Sequence, residues 1–208
     1  MRLPPFVLSG EHVELVPLAA EHVDELVVAA SSDRSSYGFT EVPATRQQFV
    51  EYVGRMLALR DADAAVPFVQ RRIADGRLVG CTRFLELRWW RGRVEPDEVE
   101  IGGTWLAADA QRSPVNTEAK LLLLTHAFEV WGVVRVALAT DARNERSRAA
   151  IERIGASFEG VLRHHRPAMV EGEHGRPRDT ALFAMTDDDW PAVRERLAQR
   201  LRSRTVGT

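Results

Sequence analysis

Residues 99–131 read VEIGGTWLAADAQRSPVNTEAKLLLLTHAFEVW. The opening VEIGGTWL suits a strand, AADAQRSPVN is a short polar loop, and TEAKLLLLTHAFEVW carries the apolar run of a buried helix. A strand, a loop with donors and few anions, and a helix N-terminus make an anion cradle, because the first amides of a helix lack partners inside it. Such a cradle can hold a pyrophosphate. Taken alone, the same stretch is equally an ordinary polar helix start capped by Asn116.

Working outward, HVELVPL (12–18) predicts a first strand, and AAEHVDELVVAA places Val23, Leu26, Val27 and Ala30 on one helical face. Residues 31–44 are loop-like, and Thr45 with Gln48 forms a capping box ahead of a helix carrying Phe49, Val53, Met56 and Leu57. VPFVQRRI and RLVGCTRFLELRWW flank Asp75-Gly76, a hairpin signal, and residues 91–97 return the chain to VEIGGTWLA, giving three antiparallel strands. After the central helix come a strand RVALATD (135–141), a helix from Asn144 ended by Gly155, strands FEGVLRHHRPAM and DTALFAMT, and a closing helix lined by Trp190, Val193, Leu197 and Leu201 and capped by one of Asp187 to Asp189. Long antiparallel strands before the central strand-loop-helix and a strand-helix-strand after it predict a mixed α/β sheet, not a doubly wound one.

The chain has 208 residues, 45% of them apolar and 28% charged, which suits one domain over residues 1–208. With 28 basic against 30 acidic residues it lacks the broad basic footprint of a nucleic-acid binder. The single cysteine, Cys81, excludes an internal disulfide and reads as a small buried hydrophobe. No apolar run is long enough for a membrane span and the N-terminus has no signal-peptide pattern, so a cytoplasmic, membrane-independent protein is expected. Lys120 is the only lysine in an arginine-rich chain.

Several of these stretches together, VEIGGTWL, the loop before TEAK, HAFEVWGVVRV, DARNERSRAAIERIGASFEGVLR and RDTALFAMTDDDW, resemble the GNAT superfamily of N-acetyltransferases. The resemblance is to the bacterial branch that acetylates ribosomal-protein N-termini, and it covers about residues 8–202. It implies an α/β (α+β) acyl-CoA N-acyltransferase fold: a mixed, mostly antiparallel sheet flanked by helices, with splayed central strands. It also implies acetyl-CoA as co-substrate and an amine acceptor, either a peptide N-terminus or a small molecule, and it admits a homodimer.

The family's coenzyme loop usually runs Gln or Arg, two residues, Gly, one residue, Gly or Ala. Here Gln111, Arg112, Ser113, Pro114, Val115 and Asn116 fill those places, so proline stands where a glycine is usual. Proline donates no amide and restricts its neighbour, so a pyrophosphate contact must be replaced, for which Arg112, Ser113, Asn116 and Thr117 offer donors. Similar members carry the same Ser-Pro-x-Asn variant ahead of Glu-Ala-Lys. Carried over residue by residue, the coenzyme site comprises Trp105, Leu106, Ala107, Gln111, Arg112, Ser113, Val115, Asn116, Thr117, Asn144 and Ser147, and a strand amide near Trp105 or Leu106 polarises the thioester carbonyl. Asn144, which by spacing alone is a good N-cap, takes the pantetheine arm, and Ser147 gives a proton to the departing thiolate, directly or through water. The tyrosine that family members often use in this helix is absent.

Glu98 and Glu100 alternate onto one strand face and read either as a solvated pair or, because Gly102 and Gly103 follow, as lying beside a bulge where the family opens its acyl site. Acetylation needs a neutral amine. An α-amine titrates near ~8 and a lysine side chain near ~10.4, so Glu100, its pKa raised by burial and Glu98, is the candidate base. His126 in the apolar helix reads as structural, while of the adjacent His164 and His165 only one can face a cleft. No metal spacing is present, and loops 31–44 and 170–179 border the acceptor pocket by the same analogy. The expected activity is direct acetyl transfer in a ternary complex; the alternatives are a catalytically silent acyl-CoA binder and a structural α/β module.

Overall fold

Strands β1 (Leu8–Ser9), β2 (Val13–Pro17), β3 (Ala65–Arg72), β4 (Leu78–Arg88), β5 (Glu98–Leu106), β6 (Arg135–Asp141), β7 (Ser157–Pro167) and β8 (Pro177–Thr186) form one sheet in the order β1-β2-β3-β4-β5-β6-β8-β7. The computed structural model describes residues 3–170, 172, 173 and 175–205. Every strand pair in the sheet is antiparallel except β5 with β6. Among the described residues five α-helices accompany it: α1 (Val23–Ala30), α2 (Arg46–Asp61), α3 (Val115–Thr125), α4 (Glu145–Ile154) and α5 (Trp190–Thr205). The mixed, mostly antiparallel α/β architecture read from the sequence is the one observed. No helix among the described residues is long and apolar enough to cross a membrane.

The opening that matters lies between β5 and β6. Their parallel pairing covers Glu98 with Arg135, Val99 with Val136 and Glu100 with Ala137, after which β5 runs on to Leu106 and β6 to Asp141 without each other. On its other edge β5 is bulged, because pairing with β4 jumps from Gly102–Arg83 to Trp105–Cys81. Gly103 occupies the bulge at φ 57°, where a Cβ would stand 2.5 Å from the Arg83 guanidinium, so both backbone and space require glycine.

The local signals hold. Thr45 accepts from the Gln48 amide at 3.2 Å while Gln48 accepts from the Thr45 amide at 3.2 Å, starting α2 as a reciprocal cap. Gly76 turns the β3–β4 hairpin at φ 70°, and Gly155 ends α4 at φ 103°. Three details differ from the sequence reading. A short β1 pairs with β2 ahead of the expected first strand, and β4 stops at Arg88, leaving Trp89 and Trp90 in a loop held by buried Asp97. The central helix is α-helical only to Thr125 and continues as a π turn from His126 to Trp131 before Gly132 ends it at φ 61°. The π turn carries His126 against Phe6 at 4.0 Å and Trp131 at 4.7 Å between ring centroids. Its Nε2 is buried without a partner and burial pushes its pKa down to about 4, so His126 is a neutral packing ring. Cys81 is buried, its thiol pushed up to about 12 by loss of solvent.

Glu118, one turn into α3, anchors that helix to the far edge of the sheet. Its carboxylate accepts from the amides of Glu11, His12 and Val13 at 2.9, 2.7 and 2.8 Å. These are charge-assisted bonds at a buried site, and truncation leaves the amides unpaired. Glu118→Ala is therefore expected to lower the unfolding free energy by about 3 kcal/mol in a urea titration. A loss below about 0.5 kcal/mol, the usual effect of a surface substitution, would contradict this anchoring role.

Candidate functional site

Where β5 and β6 part, a cleft of about 800 Å³ opens between the N-termini of α3 and α4 on one side and the 36–41 loop, Arg166 and Arg178 on the other. The α3 end turns the start of a helix toward the cleft. Pro114 takes the N-cap position, Arg112 turns the loop at φ 61°, and the Ser113 hydroxyl donates to Ala110 O at 2.6 Å while accepting from the Val115 amide at 3.3 Å. The helix thus begins two residues earlier than the cap reading of Asn116 requires, and Asn116 instead lines the cleft. Its Oδ1 is buried without a hydrogen-bond partner. The amides of Asn116 and Thr117, in the first turn, have no carbonyl one turn earlier to bind. An elongated ligand with a phosphate at one end and amide N–H groups along its arm fits these vacant donors and the orphaned acceptor. The proline therefore removes a donor without closing the cradle.

Most of the expected coenzyme residues meet here. Trp105, Leu106, Gln111, Arg112, Ser113, Asn116, Thr117, Asn144 and Ser147 all line the cleft. Ala107 and Val115 do not: the Ala107 amide donates to Val79 O at 2.7 Å, the Val115 amide to Ser113, and both side chains are buried in the core. Gln111 serves the protein before any ligand. Its Nε2 donates to Ser36 Oγ and Leu106 O, both at 2.9 Å, and its Oε1 accepts from Arg146, tying the end of β5 to the 35–37 turn and to α4. Asn144 is the N-cap of α4, with Oδ1 accepting from the Ser147 amide at 3.0 Å, so what it offers a ligand is its Nδ2 group. The cap does not compete with the cleft, since it fixes Ser147 at the cleft wall.

Glu100 lines the cleft with 4% exposure, and both its oxygens are engaged: Arg166 Nη1 donates to Oε1 at 2.8 Å and Nη2 to Oε2 at 2.7 Å. Glu98 is not the neighbour that crowds it. That carboxylate pairs with Arg135 at 3.2 Å and Arg88 at 3.5 Å, outside the cleft. Neither His164 nor His165 reaches the cleft. Pairing of β7 with β8 skips between Leu162 and Arg166, His164 sits at φ 50°, and both rings are exposed, so the irregularity aims Arg166 inward instead. Of the two bordering loops, the 31–44 loop contributes Ser36, Tyr37, Phe39, Thr40 and Glu41, whereas 170–179 contributes only Arg178; its Glu171 and His174 lie outside the described residues.

Sequence reading missed Arg166, Arg178 and the role of Lys120. Lys120 is buried on the cleft face of α3, one turn beyond Asn116, with Nζ donating to Thr104 Oγ1 at 2.7 Å and lying 3.4 Å from Thr82 Oγ1. Burial alone pushes its pKa down to about 7. Its uniqueness in the sequence was the available signal. Among the described residues there is no group of three or more histidine, cysteine, aspartate or glutamate side chains that could hold a metal ion.

The Acetyltransferase (GNAT) domain family matches residues 12–157. A Bacillus subtilis protein provisionally named ribosomal N-acetyltransferase YdaF is 26% identical over 197 residues, covering 87% of this chain and 94% of that protein. Among solved structures, a GCN5-related N-acetyltransferase from Brucella melitensis superposes with TM-score 0.82 at 30% identity, over 97% of this chain and 87% of that one. RimJ of Mycobacterium smegmatis, solved with CoA-disulfide, shares the fold with TM-score 0.73 at 22% identity, over 95% of this chain and 93% of its own. With a domain match spanning most of the sheet and a cradle of vacant amides where its strands part, the chain belongs to the GNAT family of acetyltransferases.

Proposed function

We propose that this chain, acting as one domain, transfers an acetyl group from acetyl-CoA directly to a primary amine while both are bound, with a protein N-terminal α-amine as the first acceptor class to test. The observation that carries the reading is the cleft itself, which joins the α3 cradle with its orphaned Asn116 oxygen to the buried carboxylate of Glu100. The ribosomal N-acetyltransferase name of the Bacillus relative supports the choice of acceptor. When bound, acetyl-CoA supplies the acetyl group already activated as a thioester.

The chain's own residues divide the remaining work. The amides of Asn116 and Thr117, with Arg112, bind phosphate at the helix N-terminus, where the helix dipole favours negative charge. Asn116 Oδ1 and Asn144 Nδ2 complement amide groups along the arm. Glu100, held in orientation by Arg166, accepts a proton from the ammonium directly or through water, using a lone pair the guanidinium leaves open, since a carboxylate has about four acceptor sites. Ser147, positioned by the Asn144 cap, delivers a proton to the departing thiolate. Strand amides near Trp105 and Leu106 polarise the acyl carbonyl.

Ser147→Ala tests the division. A developing thiolate exists chiefly in the transition state, so kcat should fall about 10²-fold while the affinity for acetyl-CoA, read from its thermal shift, is retained. A loss confined to affinity would make Ser147 a binding residue, and no change in either would leave it as helix wall alone.

A further inference from the structure

On the acceptor side of the cleft, Arg166 of β7 and Arg178 of β8 are directly paired across the strands. Their surroundings differ. Arg166 is matched by Glu100 in a two-bonded fork and stands 3.5 Å from Glu86. Arg178 has no such partner: its Nε is buried with no acceptor, and its side chain makes no hydrogen bond or ion pair among the described residues. The carboxylates whose fields reach it, Asp141 and Glu100, are each gripped by another guanidinium, Asp141 by Arg143 at 2.8 and 3.0 Å and Glu100 by Arg166 at 2.7 and 2.8 Å. Burial disfavours its charge more than those carboxylates favour it, so its pKa lies below the usual arginine value.

A guanidinium without a partner in a half-buried site is costly, and the cost is recovered when a planar oxyanion fills its donor fork. Among the described residues the other carboxylates lining that wall supply none, since Glu41 is engaged by Arg55 and Glu86 leans on Arg166. Aromatic Phe39 and the apolar Met169 line the same cleft.

We infer that Arg178 is an oxyanion subsite for the acceptor: the amine acetylated in this cleft carries a carboxylate or phosphate in the same molecule, which Arg178 binds while the amine is directed to Glu100. This rests on the acceptor reading given above. It narrows the substrate class from any primary amine to an amine bearing an anionic group, whether the acidic side chain of a short peptide or the carboxylate or phosphate of a small molecule.

The test compares matched acceptors on the full chain with acetyl-CoA: 4-aminobutyrate against its amide, phosphoethanolamine against ethanolamine, and alanyl-glutamate amide against alanyl-glutamine amide. For at least one pair, kcat/KM should favour the anionic member by about tenfold to a hundredfold, the range of a charge-assisted bond; which pair does so identifies the source of the oxyanion. Arg178→Gln should bring that ratio to near unity, and Arg178→Lys should restore part of it. The split between parameters also counts, because a binding contact made equally in ground and transition states raises the acceptor KM rather than lowering kcat. The inference is overturned if wild-type protein treats every pair alike, or if the preference survives in Arg178→Gln. Absence of amine-dependent thiol release with all six acceptors is a different result, which overturns the acceptor reading itself.

Discussion

Glu100→Gln is expected to lower kcat/KM for the acceptor amine by about 10²- to 10³-fold near neutral pH, within the range of general-base catalysis, while acetyl-CoA still raises the melting temperature. Glutamine keeps the shape of the side chain but accepts no proton and turns one donor group toward the Arg166 fork, whose N–H groups now lie 2.7 and 2.8 Å from the carboxylate oxygens. Loss of the base and loss of the ion pair are therefore separated by Arg166→Lys, which keeps a cation and the carboxylate. A base must be ionised, so the wild-type rate at low acceptor concentration rises with pH along an acidic limb. Glu100→Gln should abolish that limb and Arg166→Lys only displace it. With an α-amine acceptor, which is largely neutral above its own pKa of ~8, the defect should shrink at alkaline pH; with a lysine acceptor it should persist. A wild-type rate and pH profile in Glu100→Gln would remove the base assignment.

The second large effect concerns stability. Burial holds the Lys120 amine at about 7, whereas in the unfolded chain it titrates near ~10.4. Between those values the unfolded chain binds a proton that the folded chain does not, so unfolding free energy rises with pH from about 7 to about 10. Below about pH 7 both states carry the proton and the cost of the buried charge is complete. Lys120→Met keeps the unbranched stem and removes the titration, and Thr82 and Thr104 can still bond each other at 2.8 Å. At pH 6–7 the variant should be more stable than wild type by about 2–4 kcal/mol, an advantage that vanishes toward pH 10. Parallel stability curves for the two proteins between pH 6 and 10 would show that this amine is not desolvated as described.

What could be read in advance was whatever is written locally. Alternation gave β2 to β5, Asp75-Gly76 gave the hairpin, Thr45 with Gln48 gave the start of α2, and Gly155 gave the end of α4, because each depends on residues within a few positions. The cradle was legible for the same reason, as strand, loop and helix are consecutive. Asn116, Thr117, Asn144, Ser147 and Glu100 were picked out with the help of family resemblance, and all of them line the cleft. What escaped was set by distant pairing. Glu118 bonds an amide 107 positions away, and Arg166 reaches Glu100 across 66. The inward aim of Arg166, in place of His164 or His165, follows from a register skip in β7 that strict alternation does not encode. Lys120 stands out in the sequence only as its one lysine, and its burial emerges only when α3 is laid over Thr82 and Thr104. The π turn at 126–131 shares its apolar residues with an ordinary helix, so periodicity could not separate the two.

Direct transfer from acetyl-CoA to an amine bound beside it is tested by following free thiol and N-acetylated product together, with and without acceptor. One thiol should be released per N-acetylated amine, with no burst of thiol when protein and acetyl-CoA are mixed alone and no acetyl group left on the protein. Acetyl-CoA binding without amine-dependent thiol release for any acceptor, or an acetylated protein formed before amine is added, would contradict it.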